Sequence, residues 1–362
     1  MRSKNKKMAP KRMIVAVDLF CGAGGLTKGL TMAGIDVRLG IDADESSRDV
    51  YERNNKKATF WCKKIENIKG KEILEFINLK QNDLFLLAVC APCQPFSKRN
   101  KKRLDKNHLD ERKNLLTYVI KIMKGMPRKP DFIFAENVPG FERNPVFVEF
   151  EDYLHRLEFA LDFGVVNAAD YGTPQSRKRL ILIARNDDFI EMPKPSHGIG
   201  LKPFVTVREA LKGLPPTKAG GASSKVANHY CRNLTEINLS RLAETPKSGG
   251  SRTDWKSENL FLDCHKRLGR KEGHKDVYGR MDWDKPAPTL TTRCVSLSNG
   301  RFGHPSQDRA ISVREAARLQ GFPDTYKFYG PGIDAEARHI GNAVPVTLAK
   351  AFGKHFVKCT KE

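Results

Sequence analysis

The sequence predicts an α/β chain: a parallel sheet flanked by helices, then a second, smaller domain of irregular build. Three observations carry this expectation. Short apolar runs alternate with amphipathic stretches through the first half, the pattern of strands joined by helices. Four unusual segments, rich in glycine, proline or acid, stand directly after apolar runs. From about residue 186 proline, glycine, serine and charge dominate through 300, as in PKPSHGIG and TPKSGGSRTDWKSE, with no long helical period.

Taken in order, the strand-like runs are 13–20, 37–42, 84–90, 131–135, 163–168 and 179–184. Amphipathic stretches lie near 25–33, 45–54, 113–124 and 146–159. A helix is expected over 312–322 (SVREAARLQGF) and a last one after Pro345. There is no internal repeat and no low-complexity tract. At 362 residues the chain is long enough for one large domain or two smaller ones.

Lysine plus arginine outnumber aspartate plus glutamate 64 to 42, a formal excess of +22, which favours a polyanionic partner such as nucleic acid. The longest apolar run, 84–91, is far too short to span a membrane. The basic start MRSKNKKMAPKR leads into IVAVDLF, which contains Asp18 and does not read as a secretory signal. Eight scattered cysteines, mostly in apolar segments, fit reduced thiols and a cytoplasmic, nucleoid-associated location.

In open α/β sheets ligands bind outside the carboxyl ends of the strands. CGAGG follows the first run and Asp42 ends the second; APCQPFS follows 84–90 and ENVPG follows 131–135. The glycine turn does not complete a dinucleotide fingerprint, because Thr27 stands where a third glycine would fall. A nucleoside cofactor without a pyrophosphate suits it better, with Asp42 accepting from ribose hydroxyls. Cys93 is pinned between Pro92 and Pro95, which fix φ and aim the thiol. A thiol of pKa about 8.5 needs nearby positive charge to become a thiolate at neutral pH, and the basic stretch 98–113 follows at once. Glu136 ends an apolar strand, where partial burial would let it donate a proton. Gln175, Arg177 and Arg179 precede or open a strand, the two arginines at the spacing of one strand face, where planar donors suit carbonyl or phosphate oxygens. Competing readings exist. Cys90 and Cys93 form a CxxC, and His229, Cys231, Cys264 and His265 are possible metal ligands, but neither set has a trusted metal spacing.

These segments resemble, in order and over most of the chain, the cytosine-C5 DNA methyltransferases. The matches are DLFCGAGG (18–25), APCQPFS (91–97), ENV (136–138), QSRKR (175–179), REAARLQGFPD (314–324) and GNAVP (341–345). The resemblance implies a Rossmann-like methyltransferase domain using S-adenosylmethionine, formed by 1–185 with 340–362, and a target-recognition domain at 186–339. It implies that Phe20, Gly22, Gly24 and Gly25 line the cofactor site, Asp42 binds its ribose, and Asn342 with Ala343 closes it. Cys93 is then the nucleophile, Glu136 the acid at cytosine N3, and Arg179 with Arg177 the holders of the base. Where the family often has an acid at the cofactor adenine, this chain has Lys64, so that contact stays unassigned.

The implied enzyme acts on a flipped cytosine in double-stranded DNA, as a monomer of the prokaryotic modification type, alongside a separate restriction endonuclease. Basic stretch 98–113 is expected to grip phosphates. Arg252, Asp254, Trp255, Lys256 and Asn259 are expected to read base edges. The rivals are a relative acting on tRNA, whose CFT-type signature is missing here, a silent DNA-binding regulator, and a thiol oxidoreductase built on CAPC.

Overall fold

A computed structural model describes residues 12–92, 115–267 and 273–360. Its core is a seven-stranded sheet: β1 (Ile14–Leu19), β2 (Asp36–Asp42), β3 (Thr59–Cys62), β4 (Leu84–Val89), β5 (Phe132–Asn137), β6 (Phe159–Asn167) and β7 (Lys178–Asn186). The spatial order is β3-β2-β1-β4-β5-β7-β6. The helices are α1 (Gly25–Met32), α2 (Arg48–Asn54), α3 (Gly70–Ile77), α4 (Leu115–Lys124), α5 (Pro145–Arg156), α6 (Val207–Leu211), α7 (Glu236–Glu244), α8 (Asp263–Arg267), α9 (Val313–Leu319), α10 (Ile333–Asn342) and α11 (Val346–Cys359).

All six residues of β1 are buried, because helices cover both faces of the sheet. Alternation along the strand sorts them. Val15, Val17 and Leu19 pack with residues of α3, α4 and α5, while Ile14 and Ala16 pack with α1, α2 and α11. The last helix thus packs against the sheet and α1. A Cβ on Gly29 of α1 would lie 2.3 Å from that of Ala349 in α11, so glycine is what permits the contact.

Strands β1 to β5 pair in parallel, but β7 runs antiparallel to both its neighbours, β5 and β6. The parallel pattern expected from the sequence holds for β1 to β5 and gives way at β7. Only residues 168–177 separate β6 from β7, too few for the crossover that a parallel return requires. The reversal matters for the site. β7 enters the sheet at the edge where β1, β2, β4 and β5 leave it, so Asn137 lies opposite Leu180.

The second half holds two further cores. One gathers Val207 and Leu211 of α6, Met281, Leu290, residues of α9 and α10, and also Ala23 and Val50 of the first domain. The other is built on Leu242, Trp255, Leu260, Phe261, Tyr278, Leu297 and Ala310. The short strand β3 and helices α3, α6, α7, α8 and α10 were not anticipated from the sequence.

Candidate active site

The glycine turn is organised by Asp42. Beyond Leu19 the backbone is left-handed at Phe20 (φ 63°), Gly22 (φ 47°) and Gly24 (φ 80°). Phe20 and Cys21 both donate their N–H to the carbonyl of Ile41, at 2.8 and 3.1 Å, which ties the turn to β2. The Asp42 carboxylate accepts from Gly22 N through Oδ2 and from Asp44 N through Oδ1, each at 2.8 Å. Burial pushes its pKa up, while those backbone donors pull the other way.

The three glycines differ in what they make room for. A Cβ on Gly22 would meet only the Asp42 carboxylate, at 4.0 Å. One on Gly24 would lie 2.7 Å from Asn55 Nδ2 and from the Tyr326 hydroxyl, and one on Gly25 would lie 2.5 Å from the Val344 carbonyl. Gly22 borders open space, whereas Gly24 and Gly25 are required by packing. Gly25 also abuts Ala343, so the DLFCGAGG and GNAVP segments meet; Asn342, at the end of α10, is exposed. Lys64 is exposed and Ile65 beside it is buried.

Below the turn lies a group that sequence reasoning passed over. Asp18 is fully buried; its Oδ2 accepts from Thr27 N (3.2 Å) and Thr27 Oγ1 (2.7 Å). Burial, the largest cause, raises its pKa to about 7.

At the ends of β5 and β7 an acid meets an arginine. Glu136 lies opposite Ile181 in the antiparallel register, so Arg179, two residues before Ile181, is its diagonal neighbour on the same face. Arg179 Nε sits 2.7 Å from Glu136 Oε1, with the side chains 14% and 12% exposed. The two stand 43 positions apart in sequence, and the reversed strand joins them. Next to the pair, Asn137 Nδ2 donates to the carbonyl of Ala91 at 3.3 Å, holding the start of APCQPFS against ENV. Burial, followed by the charges of Glu136 and Asp18, pushes the Cys90 thiol well above its usual range, which leaves it unsuited to act as a thiolate. Cys93 and the basic stretch 98–113 lie outside the described residues.

Arg177 is placed differently from Arg179. It is 4% exposed and donates to Leu290 O at 2.8 Å and Gly341 O at 3.0 Å. It precedes β7, so strand alternation does not govern its direction. Of the five residues expected to read base edges, Arg252 and Trp255 are buried, whereas Asp254, Lys256 and Asn259 are exposed. Arg252 donates through Nε to His274 O, Trp255 belongs to a hydrophobic core, and Asp254 accepts from Ser251 N. His229 hydrogen-bonds Ser312 Oγ and the Pro215 carbonyl, and no metal-binding cluster of His, Cys, Asp or Glu occurs among the described residues. Nor is any helix among them long and apolar enough to cross a membrane.

The family model for C-5 cytosine-specific DNA methylases matches residues 14–358. The type II methylase M.HgiDII of Herpetosiphon aurantiacus is 41% identical over 93% of each chain. The type II methyltransferase M1.HphI of Haemophilus parahaemolyticus is 31% identical, over 94% of this chain and 86% of its own. Among solved structures, a putative DNA modification methyltransferase encoded within an E. coli prophage superposes with a TM-score of 0.70. It is 22% identical and covers 96% of this chain and all of its own, a likeness of fold. A glycine turn tied to Asp42 and a Glu136–Arg179 pair at one sheet edge thus lie within a match spanning almost the whole chain, which belongs to the C-5 cytosine-specific DNA methylase family.

Proposed function

We propose that this DNA cytosine methyltransferase takes its methyl group from S-adenosylmethionine and works on a cytosine flipped out of the duplex, through a covalent bond between Cys93 and C6. The observation that carries the reading is the Glu136–Arg179 pair, held at the sheet edge beside the start of APCQPFS. Cytosine C5 is a poor nucleophile. Addition of the Cys93 thiolate to C6, with a proton delivered to N3 from Glu136, makes C5 an enamine carbon able to accept a methyl group. Arg179 fixes the Glu136 carboxyl and presents its guanidinium to the base. Loss of the C5 proton to a base, with return of the N3 proton to Glu136, then lets the thiolate leave and restores the ring. The ring is out of reach inside a helix, so extruding it costs roughly a few kcal/mol, offset by contacts in the pocket.

The chain's residues fit the cofactor. Gly22 leaves open space above the turn, Asp42 stands beside it as an acceptor for ribose hydroxyls, and the single turn lacks a third glycine for a pyrophosphate. Phe20, the turn backbone, Asn342 and Ala343 would complete the pocket. When bound, S-adenosylmethionine supplies an electrophilic methyl group on a sulfonium. Two relatives are named as type II methylases, which supports a sequence-specific modification enzyme working beside a restriction endonuclease.

DNA carrying 5-fluorocytosine tests the covalent step, since fluorine cannot leave as the proton does. Wild type and Cys90→Ala are expected to form an adduct that survives denaturing gels, and Cys93→Ser none. An adduct that persists in Cys93→Ser would overturn the assignment.

A further inference from the structure

The short strap before β7 binds the segment that closes the proposed cofactor pocket at several points. Arg177 forks between Leu290 O and Gly341 O. Gln175, fully buried, accepts from Leu290 N at 2.8 Å and donates to Leu319 O and to the Gln320 side-chain oxygen. Gln320, also fully buried, donates onward to Ala343 O at 2.5 Å, and its own carbonyl accepts from Val346 N at 3.1 Å. Gly341 lies flat against residues 291 and 292: a Cβ there would come within 2.2 Å of the Thr291 carbonyl oxygen. Two residues beyond Arg177 stands Arg179, in its pair with Glu136.

This chain of bonds has a definite logic. Residues 343–345 join α10 to α11 outside any helix and Gly341 lies in the last turn of α10, so these carbonyls have no helical or sheet partner of their own. The Arg177 guanidinium supplies a donor to Gly341 O directly from the strap, and the Gln320 amide, itself bonded to Gln175, supplies the donor to Ala343 O. Movement of the strap and movement of segment 341–346 cannot be separated without exposing several buried donors and acceptors to one another unpaired.

We propose that Gln175, Arg177 and Gln320 are positioning residues that lock segment 341–346 to the start of β7, so that cofactor binding and placement of Arg179 on the base are energetically coupled. The inference rests on the cofactor reading above. Coupling of this kind is reciprocal: the cofactor must tighten DNA binding by the same factor by which DNA tightens cofactor binding.

Calorimetry with the unreactive product S-adenosylhomocysteine, with and without target duplex, tests it without relying on turnover. Arg177→Lys keeps the charge but loses the fork, and is expected to weaken S-adenosylhomocysteine binding tenfold or more and to abolish its mutual enhancement with DNA. Gln320→Met, which removes only the amide relay, is expected to do the same and carries the test should Arg177→Lys not fold. Arg179→Lys is expected to leave cofactor affinity in the absence of DNA unchanged. Variants that bind the product as wild type does, alone and with DNA, while merely melting earlier, would reduce the strap to a structural brace and overturn the proposal. Failure of the wild type itself to bind would overturn the cofactor reading, and this inference with it.

Discussion

In the seven-stranded sheet the interior is aliphatic and aromatic, as in Val15, Leu87, Ile133 and Phe134. In the irregular half, the largest fully buried side chains are arginines: Arg252, Arg280, Arg309 and Arg314. Arg280 donates to the carbonyls of Leu242, Thr245, His304 and Gln307 and pairs with Asp308. Arg314 reaches Ala227 O, Pro323 O and Tyr326 O. Arg309 and Glu315 form a two-bonded pair at 2.7 Å, both essentially without solvent exposure. The difference follows from backbone accounting. A sheet satisfies its own carbonyls, while loops folded into an interior do not, and a guanidinium with five donors can satisfy several at once. Positive charge in this protein therefore has two uses, and these buried arginines belong to the fold.

The contrast can be broken by mutation. The largest effect is expected for Arg309→Met, which leaves the Glu315 carboxylate buried without its partner; the loss should be about 3–5 kcal/mol. Urea unfolding measures it, and a loss below about 1 kcal/mol would refute the stitching role. In the sheet, Leu87→Ala should cost about 2–5 kcal/mol by opening a cavity in β4, where the side chain is fully buried. That variant should behave alike at all pH values near neutrality.

Asp18 sharpens the comparison, because it is a buried carboxyl in the sheet half with no cation beside it among the described residues. Its folded-state pKa, about 7, is raised above the unfolded value, so the folded state holds the proton more tightly. The stability this adds is fully present below pH ~4 and is lost as pH rises through about 7. Asp18→Asn, which cannot ionise, should gain on wild type over that window by roughly 1 kcal/mol per pH unit. The groups facing Asp18 are Thr27, Asp42, Cys21, Cys90, Tyr51 and Tyr326, none of which supplies positive charge. A stability difference that stays flat between pH 5 and 8 would show that Asp18 is ionised throughout. The smallest effect is expected for Arg208→Ala. Its pair with Asp284 is exposed, 57% and 70%, so solvent screens it and thermal melts should hardly shift.

The same contrast explains what could be read from the sequence. Runs such as LFLLAV, glycine turns and aimed prolines report on local geometry, and they located β1, β2, β4 and β5 and the edge where the site lies. β3 escaped because four residues, TFWC, carry too little periodicity. The reversal of β7 was legible only in the brevity of 168–177, and with it the meeting of Glu136 and Arg179. Arg177 and Arg179 look equivalent in sequence, yet one holds backbone and the other an acid. Arg252 and Trp255 looked like base readers because a charged or aromatic residue in a loop gives no sign of its burial.

The most direct measurement is bisulfite sequencing of duplex DNA after incubation with the enzyme and S-adenosylmethionine. The account predicts protection of one cytosine within one recurring sequence, lost in Glu136→Gln and in Cys93→Ser although both still bind DNA. Unprotected cytosines with the wild type, label appearing instead in tRNA, or full protection by Glu136→Gln would contradict it.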